Sequence, residues 1–348
     1  MLVALVIIAI IFVITRIVLN SKPFGRLPRG RRKERILRSP NYRNGAFQNL
    51  PSKIQTVQEA SNAVKLSKLF FAKKINLRPA EPIETVRTNL RAIDRNLDCA
   101  VWFGHSSYMF QVDGVRVLVD PVFVIASPFK WFNRPFDMTY AYSPAGIPDA
   151  DFLVTTHDHW DHLDYQTIMA LDNRVGRYVC PLGVGEHLER WGIAGERIIE
   201  LDWQEDFSSQ QIEFQCLPSR HFSGRSFRQN QTLWASFIVR TANRCVYIAG
   251  DGGYDERFAQ IGKSHPDIDL AFIENGQYHP AWHQIHTLPS QLQSAVSELN
   301  PRHVICVHHS KYALSYHPWS EPLDNIRRLQ EAGLPVESVK IGEVWPMR

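Results

Sequence analysis

Four short apolar runs in this chain of 348 residues each end within three residues of a histidine or an aspartate. The runs DFLVTT, IEFQCLP, CVYIAG and HVICV have the length and the β-branched and aromatic content of buried strands. The residues that follow them are His157, His221, Asp251 and His308. Because rigid strands present functional groups on the loops that follow them, the pattern predicts a scaffold that delivers four candidate ligands.

The spacing of the other segments predicts one large domain over residues 97–348. From Cys99 onward, short β-type runs follow one another, and Asp113-Gly114 indicates a hairpin turn. Helical patterns recur between the runs, near residues 164–171, 184–191, 290–299 and 322–332. Strands outnumber helices, which predicts sheets covered by helices in an α/β arrangement. Residues 20–96 are expected to form a basic juxtamembrane segment and an N-terminal extension with a helix over 56–74.

The first nineteen residues are apolar apart from Thr15 and Arg16. About twenty such residues cross a hydrocarbon core as a helix, and the basic n-region and small-residue cleavage site of a signal peptide are missing. Residues 1–19 are therefore predicted to be an uncleaved transmembrane anchor.

A basic run follows this apolar segment. Residues 16–43 hold ten basic side chains against the single acid Glu34, a net charge of +9, so the rest of the chain sums to −5 if the whole carries +4. Such a run near a span predicts a single-pass protein with its catalytic domain in the cytoplasm and anionic lipid head groups bound through residues 22–43. A solvated basic linker is the alternative. The basic side chains are Arg16, Lys22, Arg26, Arg29, Arg31, Arg32, Lys33, Arg35, Arg38 and Arg43.

Composition argues against nucleic-acid binding and against a disulfide framework. The acidic balance outside the basic run argues against a surface that follows nucleic-acid phosphates. The five cysteines are odd in number, widely separated and mostly in apolar runs, which favours buried thiols over a disulfide framework and mildly favours a reducing compartment. Nothing in the sequence predicts the oligomeric state.

The densest group of candidate ligands is TTHDHWDHLD, residues 155–164. His157, His159, Asp161 and His162 follow the pattern H-x-H-x-D-H, which has no helical period. Zinc binds imidazole nitrogen and carboxylate oxygen, so His157 and His159 could bind one ion while Asp161 and His162, past a bend, face a second. A pair of ions about 3.5–4 Å apart supports hydrolysis at phosphorus or at an acyl carbon. The pattern therefore predicts metal-assisted hydrolysis.

Several motifs together carry a family resemblance. THDHWDHLD, PSRHFSG, GDGGY and CVHHSKYAL resemble the metallo-β-lactamase fold superfamily of binuclear metallohydrolases. VWFGHSSYMFQVDGVRVLVDPVF and GQYHPAWHQIHTLPSQ are similar to the branch that contains N-acylphosphatidylethanolamine-hydrolysing phospholipase D. The resemblance covers roughly residues 97–345 and implies an αββα sandwich.

The resemblance also implies a set of ligands for two zinc ions. One ion would be bound by His157, His159 and His221, the other by Asp161, His162 and His308, and Asp251 would bridge both. His309 is a rival to His308, but the family pattern places the ligand directly after the apolar strand. Gly252 departs from the pattern, because a threonine is common there in the phospholipase branch.

Three further residues lie in family-like motifs. His286 matches a histidine close to the metals, where it could orient the phosphate or protonate the leaving oxygen. With Asp161 it is our candidate catalytic residue, although a surface histidine is an alternative. Asp120 resembles an aspartate that holds a metal-binding histidine, or it caps a turn. No role can be derived for His105, which is expected to be a packed or hydrogen-bonded structural histidine rather than a ligand.

The aromatic segment ASPFKWFNRPFDMTYAYSP, residues 126–144, bears on the substrate. In an enzyme that acts on lipid it could form an acyl-chain groove or enter the interface, whereas the alternative is a loop packed on itself. The resemblance thus implies a zinc phosphodiesterase that hydrolyses a glycerophospholipid of the N-acylphosphatidylethanolamine type with phospholipase D regiochemistry through a metal-bridging hydroxide. The predicted anchor over residues 1–19, which has no counterpart in the family, would attach this enzyme to the membrane. A lactonase or other ester hydrolase is the rival enzyme, and a non-catalytic membrane scaffold is the rival from another class.

Overall fold

The computed structural model describes residues 2–52, 76–209 and 211–347, and the helix expected over 56–74 lies outside these ranges. The described α-helices are α1 (Leu2–Leu19), α2 (Gly30–Arg38), α3 (Tyr165–Leu171), α4 (Gly185–Trp191), α5 (Arg257–Ser264), α6 (Pro289–Leu299) and α7 (Glu321–Glu331). Four of these helices, α3, α4, α6 and α7, coincide with the four predicted for the domain, which confirms those predictions.

Two seven-stranded mixed sheets form the centre of the molecule. The first consists of β3 (Cys99–Trp102), β4 (Tyr108–Val112), β5 (Val115–Val119), β6 (Ala150–Val154), β7 (Val175–Pro181), β8 (Ile198–Leu201) and β16 (Val344–Pro346), in the order β16-β3-β4-β5-β6-β7-β8. The second consists of β9 (Asp206–Ser208), β10 (Glu213–Leu217), β11 (Ser236–Arg240), β12 (Cys245–Ile248), β13 (Leu270–Glu274), β14 (His303–Val307) and β15 (Val336–Glu337), in the order β15-β14-β13-β12-β11-β10-β9. A separate hairpin joins β1 (Tyr42–Arg43) to β2 (Ala46–Phe47).

The β4–β5 hairpin shows how local sequence sets this arrangement. Val112 pairs with Val115, and the two turn residues between them, Asp113 and Gly114, both have positive φ, 47° and 76°. A two-residue turn with positive φ at both positions matches the twist of the strands it joins, and Asp-Gly is a favoured sequence for it. The predicted hairpin is therefore confirmed.

The sheets pack face to face, with helices on the outside. Between the sheets the rings of Tyr108 and Phe272 stack with centroids 3.8 Å apart, and those of Phe152 and Phe214 lie 4.9 Å apart. Helices α5, α6 and α7 bury their apolar residues against the second sheet, and α3 and α4 bury theirs with the core of the first. Apolar residues spaced three and four apart supply these faces. The predicted αββα layers are therefore confirmed.

Helix α1 corrects one prediction. It covers 18 residues and carries Arg16 in its last turn. At a rise of 1.5 Å per residue it reaches about 27 Å, less than the hydrocarbon core of about 30 Å, and Arg16 shortens the uncharged part further. Within the ranges given above, no helix combines the length and the apolar character needed to cross a membrane. The predicted transmembrane anchor over residues 1–19, and with it the single-pass membrane location with a cytoplasmic catalytic domain, is therefore wrong.

The basic segment after α1 lies on the two-sheet domain. Arg26 and Arg32 pair with the buried carboxylate of Glu186, and Arg32 also pairs with Glu189 and Glu200 at 3.0 and 2.5 Å. These ion pairs neutralise part of the basic run that was predicted to bind anionic lipid head groups. All five cysteines are buried and free, as predicted.

Candidate metal centre

The candidate ligands gather at one edge of the sandwich. His157 follows β6 in the first sheet, whereas Asp251 and His308 follow β12 and β14 in the second. Strands β5 to β8 are parallel to one another, and so are β12 to β15. Because the carboxyl ends of parallel strands meet at the same edge of a sheet, loops that are distant in sequence converge there.

Three histidines form the first cluster (His157, His159 and His221). Nδ1 of His159 lies 2.9 Å from Nε2 of His157 and 3.2 Å from Nε2 of His221. Ligands about 2.1 Å from a tetrahedral ion lie about 3.4 Å apart, so these nitrogens are close to the spacing of a zinc-type site. Burial lowers the pKa of His157 and of His221 well below the usual value. Both are therefore neutral, which is the form of imidazole that binds metal.

The second cluster (Asp161, His162 and His308) lies beside the first. Oδ2 of Asp161 is 3.7 Å from Nε2 of His162 and 3.7 Å from Nε2 of His308. Asp251 lies between the clusters, since its Oδ2 is 3.2 Å from His162 Nε2, 3.1 Å from His308 Nε2 and 3.8 Å from His221 Nε2. One carboxylate thus faces both clusters, at the position that the sequence analysis gave to a bridging ligand.

The polar atoms of these clusters fit a pair of metal ions. Nε2 of His162, Nε2 of His308 and Oδ1 of Asp251 are buried and find no hydrogen-bond partner among the described residues. A buried polar atom without a partner costs about 1–3 kcal/mol, and three such atoms belong to Asp251 and the two histidines that its other oxygen contacts. Imidazole nitrogen and carboxylate oxygen are the donors that zinc and related metals bind.

Two buried carboxylates each contact a histidine of the site on the Nδ1 side of its ring. Asp120 lies 2.7 Å from Nδ1 of His162 and also accepts hydrogen bonds from the backbone and hydroxyl of Thr156. The expected contact of Asp120 with a ligand histidine is therefore present. Glu274 accepts hydrogen bonds from Nδ1 of His286 and from the backbone of Thr287, at 2.7 and 2.6 Å. Such contacts fix the tautomer and the orientation of a ring.

His286 and Glu274 lie beside both clusters. The ring of His286 is 5.1 Å from that of His221 and 5.2 Å from that of His308. Oε2 of Glu274 is 3.6 Å from Nδ1 of His308. His286 was predicted to lie near the metals, whereas Glu274 was not predicted as a site residue, although it ends the apolar run DLAFIE just as other candidate ligands follow such runs.

Of the two neighbouring histidines His308 and His309, only His308 faces the candidate ligands. Nε2 of His308 faces Asp251, whereas the ring of His309 turns away, against Trp102, and its Nε2 lies 3.2 Å from the carbonyl of Cys306. His308 has a φ of 69°, a left-handed backbone that is uncommon outside glycine. Backbone strain of this kind clusters at functional sites.

A buried network braces the loop of residues 155–164, here called the metal loop, which carries four of the candidate ligands. Asp158 Oδ2 lies 3.1 Å from His187 Nε2 and accepts a hydrogen bond from Thr232. Arg225 donates hydrogen bonds to the carbonyls of Asp158 and Leu163. None of these roles was predicted, because the partners are distant in sequence and carry no motif.

The aromatic segment divides into an exposed tip and a buried end. Phe129, Trp131 and Phe132 are exposed, whereas Phe136 and Tyr142 are buried. Behind the tip lies a cavity of about 240 Å³, lined by Phe129 and Trp131 together with Trp160 of the metal loop. An apolar cavity therefore adjoins the loop that carries His159 and Asp161.

Comparison with known proteins agrees with this fold. The sequence model for the Beta-lactamase superfamily domain matches residues 115–309. An uncharacterized protein of Mycobacterium tuberculosis is 35% identical over 327 residues, which cover 89% of this chain and 86% of that protein. N-acyl-phosphatidylethanolamine-hydrolyzing phospholipase D 1 of Caenorhabditis elegans is 30% identical over 268 residues, 71% of this chain and 75% of that enzyme.

A solved structure shares the fold. Igni18, a metallo hydrolase from Ignicoccus hospitalis, matches with a TM-score of 0.55 over 72% of this chain and 97% of that chain, at 19% sequence identity. The domain match covers more than half of this chain, and the relatives extend over most of it. The chain therefore belongs to the metallo-β-lactamase superfamily of metal-dependent hydrolases.

Proposed function

We propose that this protein is a binuclear zinc phosphodiesterase that hydrolyses a glycerophospholipid of the N-acylphosphatidylethanolamine type on the phosphatidate side of its head group. The observation that carries the proposal is the position of Asp251, whose Oδ2 is 3.1–3.8 Å from histidine nitrogens of both clusters. A carboxylate shared by two ligand sets suits two adjacent ions rather than one. Two-metal sites of this kind stabilise both the attacking and the leaving oxygen of a displacement.

The ligands in this proposal are those of the two clusters, with Asp251 common to both. Zinc ions bound there would polarise the phosphoryl group and lower the pKa of the attacking water. The Asp120 contact keeps Nε2 of His162 as its ligand nitrogen, because Nδ1 is engaged by the carboxylate. Asp161 would act from the same cluster, as a ligand next to the reacting phosphate.

His286 would move the proton that the reaction requires. Glu274 engages its Nδ1, so Nε2 is the nitrogen left to exchange a proton with the head-group oxygen. The ring stands about 5 Å from one histidine of each cluster, within reach of a substrate bound between them. Protonation of the leaving alcohol by such a group typically contributes 10²–10⁴-fold to rate.

The lipid part of the proposal rests on two observations. The cavity behind Phe129 and Trp131 adjoins Trp160 of the metal loop, and it would take an apolar portion of the substrate while the phosphate lies at the ligands. The Caenorhabditis elegans relative is named as an N-acyl-phosphatidylethanolamine-hydrolyzing phospholipase D. We extend that substrate class to this chain as part of the proposal.

Contact with anionic head groups through residues 22–43 is a separate part of the proposal. The side chains of Arg31, Arg38 and Arg43 are exposed, which supports it, whereas Arg26 and Arg32 are engaged by the carboxylate of Glu186. Charge attraction of this kind amounts to about 1 kcal/mol per basic side chain near an anionic surface.

The test uses labelled water. Zinc-loaded protein is incubated with vesicles that contain N-acylphosphatidylethanolamine in water enriched in ¹⁸O, and the products are identified by mass spectrometry. Attack at phosphorus places one ¹⁸O in the phosphatidate and none in the released N-acylethanolamine. Label in a freed fatty acid would contradict the proposal, as would turnover of lactones alone or of no substrate. Asp251→Asn serves as the control for contaminating hydrolases and should lose the activity.

A further inference from the structure

The turn that contains His105 ties together two loops of the metal centre. The backbone N–H of His105 donates to the carbonyl of His309 at 2.8 Å, and its carbonyl accepts from the backbone N–H of His308 at 2.9 Å. The indole of Trp102 donates to the same carbonyl at 2.7 Å. His105 is thus fixed by its backbone to the strand end that carries a second-cluster ligand.

The side chain of His105 reaches another ligand of the same cluster. Its Nε2 lies 2.9 Å from Oδ2 of Asp161, and its ring is fully buried, 4.3 Å from the ring of His308 and 5.2 Å from that of Tyr312. An ionised carboxylate only accepts hydrogen bonds, so Nε2 must carry the hydrogen and donate it. The same Asp161 oxygen is the one nearest to the other two ligands of the cluster.

This arrangement is costly to the fold. In the tautomer with hydrogen on Nε2, Nδ1 is a bare acceptor, and it has no hydrogen-bond partner among the described residues. The φ of His105 is 54°, a left-handed conformation that costs a non-glycine residue about 1–3 kcal/mol. Both costs fall on a single residue whose polar side-chain contact is with Asp161.

We propose that His105 is a positioning residue that holds the Asp161 carboxylate at the second metal position. The inference rests on the metal centre of the proposed function and goes further, because it assigns a role to a residue outside the ligand set. A role of this kind also predicts that the two metal positions depend unequally on His105. The first cluster has no contact of this kind with His105, so the loss of its donor should weaken the second position alone.

A direct ligand role for His105 is the competing interpretation, since its ring nitrogen lies within a group of four residues that could hold an ion. The two interpretations differ for glutamine. The amide N–H of glutamine can donate to a carboxylate, but glutamine does not replace imidazole as a nitrogen ligand for zinc. A positioning role is therefore restored at least in part by His105→Gln, whereas a ligand role is not.

The experiment compares His105→Leu, which has no donor, with His105→Gln in the full-length chain. His303→Gln is the control, because His303 is half-exposed and pairs with Glu337 far from both clusters. Each protein is loaded with zinc and titrated with a chromophoric chelator, and zinc per chain is measured by mass spectrometry. Far-ultraviolet circular dichroism and thermal melting check that each variant is folded.

We expect the parent and His303→Gln to bind two ions per chain. His105→Leu should keep one ion at parental affinity and bind the other about 10–100-fold more weakly, and His105→Gln should lie closer to the parent. The inference is overturned if His105→Leu keeps both affinities, if His105→Gln is as weak as His105→Leu, or if both positions weaken equally. A parent that fails to bind two ions would instead refute the metal centre itself.

Discussion

The substitution Arg225→Met should destabilise the protein more than any surface change. Arg225 is 4% exposed, and its guanidinium donates to the carbonyls of Asp158, Leu163 and Pro23 at 2.9, 2.7 and 2.8 Å. It also lies 3.9 Å from the centre of the Trp160 ring. One side chain therefore joins the metal loop to the segment that precedes α2.

The size of the effect follows from these contacts. Three hydrogen bonds from a charged donor contribute about 2 kcal/mol each, and methionine leaves the three carbonyls without this partner. Part of the loss is recovered, because burial lowers the pKa of Arg225 from its usual value to about 10, a shift that corresponds to about 3 kcal/mol against the charged side chain in the fold. The net loss in the free energy of unfolding is therefore about 3 kcal/mol.

The assay is equilibrium urea unfolding followed by tryptophan fluorescence, with Arg228→Met as the matched control because Arg228 is exposed and three residues away. Arg225→Lys should be intermediate, since lysine keeps the charge but lacks the planar set of donors that reaches three carbonyls. A loss below about 0.5 kcal/mol for Arg225→Met, the size expected of a surface change, would refute the reasoning.

Three other predictions concern Gly25, Lys311 and Trp131. Gly25→Ala should lower the melting temperature, because its Cβ would lie 2.0 Å from Nδ1 of His187 at a φ of +68°, whereas Gly45→Ala meets nothing within 4 Å and serves as the control for positive φ; equal shifts for the two would contradict this. Burial lowers the pKa of Lys311 from 10.5 to about 7, so the folded chain binds fewer protons between these values and urea stability should rise with pH from about 7 to 10. Lys311→Met should remove that rise, and an unchanged slope would disprove the assignment. Trp131→Ala should raise KM for long-chain lipid in the proposed reaction while zinc content is unchanged; an unaltered KM would exclude the cavity as the acyl site.

The sequence made the strands and the ligand loop predictable for a physical reason. A run such as DFLVTT has the content of a buried strand, and the H-x-H-x-D-H that follows has no period that a helix or a strand face would impose. Residues of this kind are conspicuous because they are expensive to bury without a metal or a partner. The structure brings His157 and His221 into one cluster and His308 to Asp251, as their strand ends suggested.

The residues that contact the candidate ligands or brace their loop could not be predicted from the sequence, because their contacts are with residues distant in the chain. Glu274 ends an ordinary apolar run, and only the fold brings it to His286. Arg225 and Asp158 are buried, and the contacts that bury them come from residues distant in sequence. The anchor prediction failed for a different reason, since the helix that forms covers only 18 residues and carries Arg16 in its last turn, which leaves it shorter than the hydrocarbon core.

The central claim is that two metal ions share Asp251. The direct measurement is anomalous X-ray diffraction at the zinc edge from crystals of the zinc-loaded protein. The account predicts two peaks about 3.5–4 Å apart, one within the first cluster and one within the second, with the carboxylate of Asp251 between them. A single peak, or two peaks that do not both lie against Asp251, would contradict it.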